Sequence, residues 1–148
     1  MVFRNYNKQL LNKIYEFFFW LGYVSVLITS LININGGFDK IQIGLDAFNV
    51  RLDHLLHFTV YLVICFYYLA GEKYGLSLFN NHPLVKFVLL IIFLAIATEV
   101  IQLWVSGRSF NVFDLLSNIA GVAAGVGVIR VTQGSEHKAQ GAIEKKGY

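Results

Sequence analysis

Apolar residues gather into four long runs along the chain, separated by short polar stretches. The runs cover about 17–34, 55–70, 84–105 and 112–131. Each approaches the roughly 20 residues that a helix needs to cross a ~30 Å hydrocarbon core. In lipid every backbone N–H and C=O must be satisfied inside the segment or in a closed barrel, and runs this long and continuous do not suit barrel strands. The pattern therefore predicts an all-α, polytopic membrane four-helix bundle. The third run is the most apolar, with no charge from Phe87 to Ala97. The second is short, and Tyr67 and Tyr68 suit its interfacial end. The fourth is rich in Gly and Ala, and Gly121 and Gly125 form a GxxxG pattern that lets helices approach closely. Packing within the chain is the expected use of that pattern, ahead of dimerisation.

The flanks divide the chain further. Residues 1–16 are polar with scattered basic side chains and form an N-terminal cytoplasmic segment ahead of the membrane domain at 17–131. Residues 132–148 read as a solvated cytoplasmic tail, expected to be disordered. The first run lacks a following small-residue cleavage site, so it is expected to remain as a span.

Composition sharpens this picture by exclusion. Of the 148 residues, 56% are hydrophobic and 14% charged, against roughly 45–50% and about 25% in soluble domains. A soluble domain of this size has too much surface to hide so much apolar side chain. A soluble enzyme, a disordered chain and a nucleic-acid module are excluded. The single cysteine, Cys65, lies in an apolar run and reads as a small hydrophobe. Charge sets the orientation, because basic residues collect on the cytoplasmic side. With both termini inside, nine of the twelve basic residues face the cytoplasm against four acidic ones, net +5, and the outer side nets −2. The expected topology is N-in, C-in, in the inner membrane.

That topology brings the chemistry-bearing residues to one membrane face. Asp53, His54 and His57 open the second span, Glu99 and Gln102 close the third, Arg108 lies in the next loop, and Asp114 and Asn118 open the fourth. Asp53, His57 and Tyr61 are spaced i,i+4, as are Asp114 and Asn118, and Glu99 and Gln102 are i,i+3, so each set shares a helix face. Ionisable residues within spans are expensive and point to function by default. Asp53 could instead cap the second helix, Asp114 could serve the dipole of the fourth, and the whole cluster could be an ion-pair knot. Read as a site, His57 is the candidate general acid or base, with Asp53 and Glu99 as its catalytic partners. Arg108, Gln102, Asp114 and Asn118 are the candidate substrate-binding residues, Arg108 through a guanidinium fork that suits phosphate or carboxylate. His54, His57, Glu99 and Asp114 could hold a metal, but their spacing is no strong zinc signature, and no metal or cofactor is expected.

These residues resemble the VanZ-like family of small bacterial membrane proteins. The resemblance rests on Asp53-His54-Leu55-Leu56-His57-Phe58 with Tyr61, and on Glu99-Val100-Ile101-Gln102, Gly107-Arg108-Ser109-Phe110, Asp114-Leu115-Leu116-Ser117-Asn118 and Gly121. It covers about residues 53–125, and the first span and tail share only hydrophobicity. Where the family often carries a basic residue after the first Asp, this chain has His54. The resemblance implies a setting in the cell envelope and a relation to low-level resistance to the glycopeptide teicoplanin, but no particular reaction. The expected partner is an anionic envelope lipid or lipid-linked glycan of polyprenyl-phosphate type, bound or processed at the outer face. A non-enzymatic accessory protein with a structural polar lock, and a small transporter, are the competing readings. Enzymatic activity and oligomeric state are left open.

Overall fold

The computed structural model describes residues 2–32, 42–43, 50–106 and 109–146, with side chains over 7–32, 52–106, 109–135 and 137–138. Four helices form the bundle: α1 (Val2–Leu31), α2 (Leu52–Lys73), α3 (Pro83–Gln102) and α4 (Val112–Lys146). All four are long and apolar enough to cross a membrane. Between α1 and α2, Gln42–Ile43 and Val50–Arg51 pair as two-residue antiparallel strands, β1 and β2, with Gln42 opposite Arg51. The pairing is too short to change the all-α class.

Local chemistry sets the helix ends. The α2 terminus is a Schellman turn: Gly75, at φ 67°, lets Leu76 N–H donate to Gly71 C=O at 2.9 Å and Gly75 N–H to Glu72 C=O at 2.9 Å. Pro83 opens α3 at its first helical position, where its missing N–H costs nothing. Asn111 caps α4, its Oδ1 accepting from Phe113 N–H at 3.0 Å.

Three expected boundaries move. Helix α1 begins at Val2 and runs unbroken through the polar segment 1–16 into the span. The tail expected to be disordered is helical through Lys146. Its Glu, Gln, Lys and Ala residues are good helix formers and no proline interrupts them, so the helix propagates from an end already fixed in the bundle. The third helix stops at Gln102, and Leu103 to Val105 tighten into i→i+3 turns instead.

The α2–α4 seam is the tightest in the bundle. A side chain at Gly121 would overlap the carbonyl oxygen of Phe58, and one at Gly125 would overlap Cys65. The GxxxG face is therefore filled within the chain, and Cys65 is fully buried as a small packing residue. Helix α3 supplies the centre of the core through Phe87, Ile91, Leu94 and Ala95, with Tyr68 stacked on Phe87 at 4.2 Å between ring centres. Phe17, Leu89 and Phe93 point outward, as expected of a surface facing lipid. Helix α1 lies against α3 and meets α2 chiefly at one end, where Tyr15 stacks on Tyr67 at 4.9 Å. Toward the other end the space between α1 and α2 becomes a cavity.

Candidate functional site

That cavity measures about 220 Å³ and lies at the end of the bundle where α2 and α4 begin and α3 stops. Its polar wall comes from Asp53, His57, Thr98 and Gln102, and its apolar wall from Val26, Leu56 and Val60. Helical register brings the predicted residues together here. Asp53 and His57 lie one turn apart on α2, and Gly121 admits α4 so close that Asn118, one turn earlier, reaches His57.

The hydrogen bonds run in a chain through three helices. His57 Nδ1 lies 3.0 Å from Asn118 Oδ1, and Asn118 Nδ2 donates to Glu99 Oε1 at 3.2 Å. An amide nitrogen donates, so Nδ2 must face the carboxyl of Glu99. That leaves Oδ1 to accept, and His57 Nδ1 must carry the proton. On the other side of the ring, His57 Nε2 is 3.7 Å from Asp53 Oδ1 and 3.9 Å from Asp114 Oδ2. These separations exceed hydrogen-bond range. His54 Nδ1 sits 2.7 Å from Asp114 Oδ1, which joins the start of α2 to the start of α4.

Burial grades the cluster. Glu99 and Asn118 are completely buried, Gln102 and Asp114 nearly so, while the side chains of His57 and Asp53 keep 20% and 31% of their surface. Glu99 Oε1 is 3.8 Å from His57 Nδ1, and Oε2 has no hydrogen-bond partner. The backbone amide of Asn111 turns toward this carboxyl without hydrogen-bonding Oε2. A fully buried carboxyl oxygen without a donor is uncommon in a native core.

Of the predicted site residues, Asp53, His57, Glu99, Gln102, Asp114 and Asn118 converge, whereas Arg108 lies outside the described residues. Asp114 stands in the first turn of α4, where the dipole favours a carboxylate, and Asn111 caps that helix. Sequence reasoning missed Thr98, which accepts from Tyr61 OH at 3.1 Å while donating to Ala95 C=O at 3.0 Å. It also missed Thr29 and Ser30 of α1, which line the cavity. Uncharged hydroxyls in apolar spans commonly bond their own helix, as these do, so nothing in their spacing marked them. Asp53, His57 and Asp114 offer ligand atoms within 4.8 Å of one another. This set differs from the four residues the sequence offered, with Asp53 in place of His54 and Glu99.

Comparison with known proteins extends the resemblance along the chain. The sequence model of the VanZ/LLP1 family matches residues 2–133. The match takes in α1. No curated protein and no solved structure matches the chain.

Proposed function

This chain belongs to the VanZ/LLP1 family, and from that premise we propose that it is a multi-pass protein of the bacterial inner membrane that holds the headgroup of an anionic envelope lipid. A polyprenyl phosphate or lipid-linked glycan has the required chemistry. The observation that carries the reading is a change of polarity along one seam. Between α1 and α2 the polar-walled cavity gives way, further along the same two helices, to an apolar groove of about 170 Å³ lined by Phe19, Gly22, Tyr23, Val63 and Ile64. A headgroup at Asp53, His57 and Gln102 would leave its chain along that groove. Arg108, six residues after Gln102 in the sequence, would supply a guanidinium suited to a phosphate. The excess of basic residues at the opposite end supports placing the site on the extracytoplasmic side. A role in teicoplanin-type resistance would act through this envelope lipid.

The test is lipid retention. The protein is extracted into nanodiscs with its native lipid, and bound species are identified by mass spectrometry. Phosphate-bearing lipids should co-purify with the wild type and be lost from Arg108→Ala and His57→Ala variants of normal helical content. An unchanged lipid profile in both variants would sink the reading.

One observation favours a second reading. The contacts His54–Asp114, His57–Asn118 and Asn118–Glu99 join α2, α3 and α4, as a structural lock would. A lock requires thermal stability and cellular activity to fall together in cluster variants, and stable but inactive variants exclude it.

A further inference from the structure

The glycines within the spans divide by what a side chain there would meet. At Gly71 it would overlap the ring of Tyr15, at Gly121 the carbonyl of Phe58 and at Gly125 the side chain of Cys65. Each of these is explained by a close helix contact. Gly22, inside α1, has no such neighbour. Nothing lies within 4 Å of the place its side chain would take, and its backbone is helical. A glycine inside a helix weakens it relative to alanine, so neither packing nor backbone conformation accounts for Gly22. What its missing side chain does is keep open the apolar groove between α1 and α2. Gly127 is equally open to an added carbon but lines neither the groove nor the polar-walled cavity.

The rings around Gly22 hold one another. Phe19 and Tyr23 are 5% and 8% exposed, and the centre of the Phe19 ring lies 6.4 Å from that of Tyr23 and 6.5 Å from that of Tyr67. Phe18 and Val63 also line the groove and are each 56% exposed, so it opens sideways to the bilayer. Gly22 is thus a notch in a wall of rings. One turn further along, Val26 of α1 and Val60 of α2 belong to the polar-walled cavity, so groove and cavity are continuous along one seam. From Ser30 to Phe18 that seam covers about 18 Å of helix at 1.5 Å per residue. Half of a ~30 Å hydrocarbon core is about 15 Å, so the seam runs the depth of one leaflet.

We propose that Gly22 selects the lipid by its chain: the groove takes a methyl-branched, unsaturated chain of isoprenoid type, with one branch seated in the notch. This deepens the headgroup reading above and rests on it for the anchoring of the chain at the cavity end. A straight saturated chain has no group to place against Gly22. It leaves the notch empty, and the atoms lining it lose the dispersion contacts they could make. The locked rings keep the wall from collapsing to close that gap, which is what makes an unfilled space costly. A methyl branch fills it. The double bonds also leave such a chain fewer rotatable bonds than a saturated one, and so less conformational freedom to lose on binding.

The experiment uses the full chain in phosphatidylcholine nanodiscs loaded with equal amounts of geranylgeranyl monophosphate and hexadecyl monophosphate. The two probes share a headgroup and a main-chain length and differ in branches and double bonds. Native mass spectrometry counts the phosphate retained. The wild type should retain the branched probe about 10-fold over the straight one, the scale on which a fixed apolar pocket reads one carbon group. Gly22→Ala fills the notch and should lower retention of the branched probe about 10-fold, leaving the straight probe unchanged. Gly127→Ala, where the added carbon likewise meets nothing, should change neither. Size exclusion and circular dichroism confirm folding. Equal retention of the two probes by the wild type overturns the proposal, as does a preference that Gly22→Ala leaves intact or that Gly127→Ala also removes. Arg108→Ala and His57→Ala separate it from the headgroup reading, since they should lower both probes alike. A preference lost in Gly22→Ala, with both probes indifferent to Arg108→Ala and His57→Ala, supports the notch and overturns the headgroup reading. Both probes falling in those two variants, with no preference in the wild type, overturns the notch and leaves the headgroup reading intact.

Discussion

The two ends of the bundle solve the problem of polar groups in an apolar surrounding in opposite ways. At the end away from the cavity, the polar groups that join the helices meet complements. Asn12 Nδ2 donates to Ser77 C=O at 3.1 Å, and its Oδ1 accepts from Ser77 N–H at 2.9 Å. Tyr67 OH donates to Tyr15 C=O at 2.9 Å. The carboxylate of Glu72 receives Tyr68 OH and Gln133 Nε2, each at 2.9 Å at its shorter contact. At the cavity end a buried carboxyl oxygen of Glu99 lacks a donor and water-sized space remains. Buried polar networks stabilise only when every member is satisfied. A satisfied network is complete as a structure, and an unsatisfied one is conspicuous because it implies something still to be bound.

The sharpest way to break this comparison is to disarm the cavity end. Arg108→Ala and His57→Gln should cost about 1–3 kcal/mol of lipid-headgroup binding, as loss of a hydrogen-bonding partner does. Their melting temperatures in lipid-free detergent should hold, since a ligand stabilises only the chain it is bound to. Parallel losses of binding and melting temperature would return the cluster to a lock. The seam between the ends comes next. Gly121→Ala should cost about 1–3 kcal/mol in denaturant unfolding, because its methyl group meets backbone at Phe58. Gly127→Ala, where an added carbon meets nothing, should be neutral or gain up to ~1 kcal/mol. At the satisfied end, Glu72→Ala should lower stability by about 1.5–3 kcal/mol while leaving binding intact, since two donors lose one charged acceptor. The smallest effect is expected of Asn12→Ala, near ~1 kcal/mol, and a headgroup-binding defect there would contradict the division of labour.

Hydropathy made the four spans legible, because lipid restricts the backbone to satisfied helices and those need length and little else. It did not show where the helices end. The extension of α4 to Lys146 depends on propensity carried forward from a packed segment, and no apolar pattern records that. Helical spacing and a shared membrane face brought Asp53, His57, Glu99, Asp114 and Asn118 together correctly. Their pairings remained hidden. Spacing shows that His54 and Asp114 belong to one cluster, but only the approach of α4 to α2 decides that His54 reaches Asp114 Oδ1 and leaves His57 to Asn118. The contribution of α1 was invisible for the same reason, since Thr29 and Ser30 matter only through the wall they form opposite α2.

The parting of α1 from α2 toward the cavity has a kinetic and thermodynamic consequence. A ligand that enters sideways never leaves the bilayer, so it arrives by diffusion in two dimensions and is concentrated by its own partitioning. Occupancy then follows its mole fraction in one leaflet. The protein need not bind it tightly by the standards of aqueous equilibria. On the headgroup reading proposed above, it must prefer that headgroup to the bulk phospholipids crowding the same opening, and discrimination rather than strength becomes the property on which selection acts.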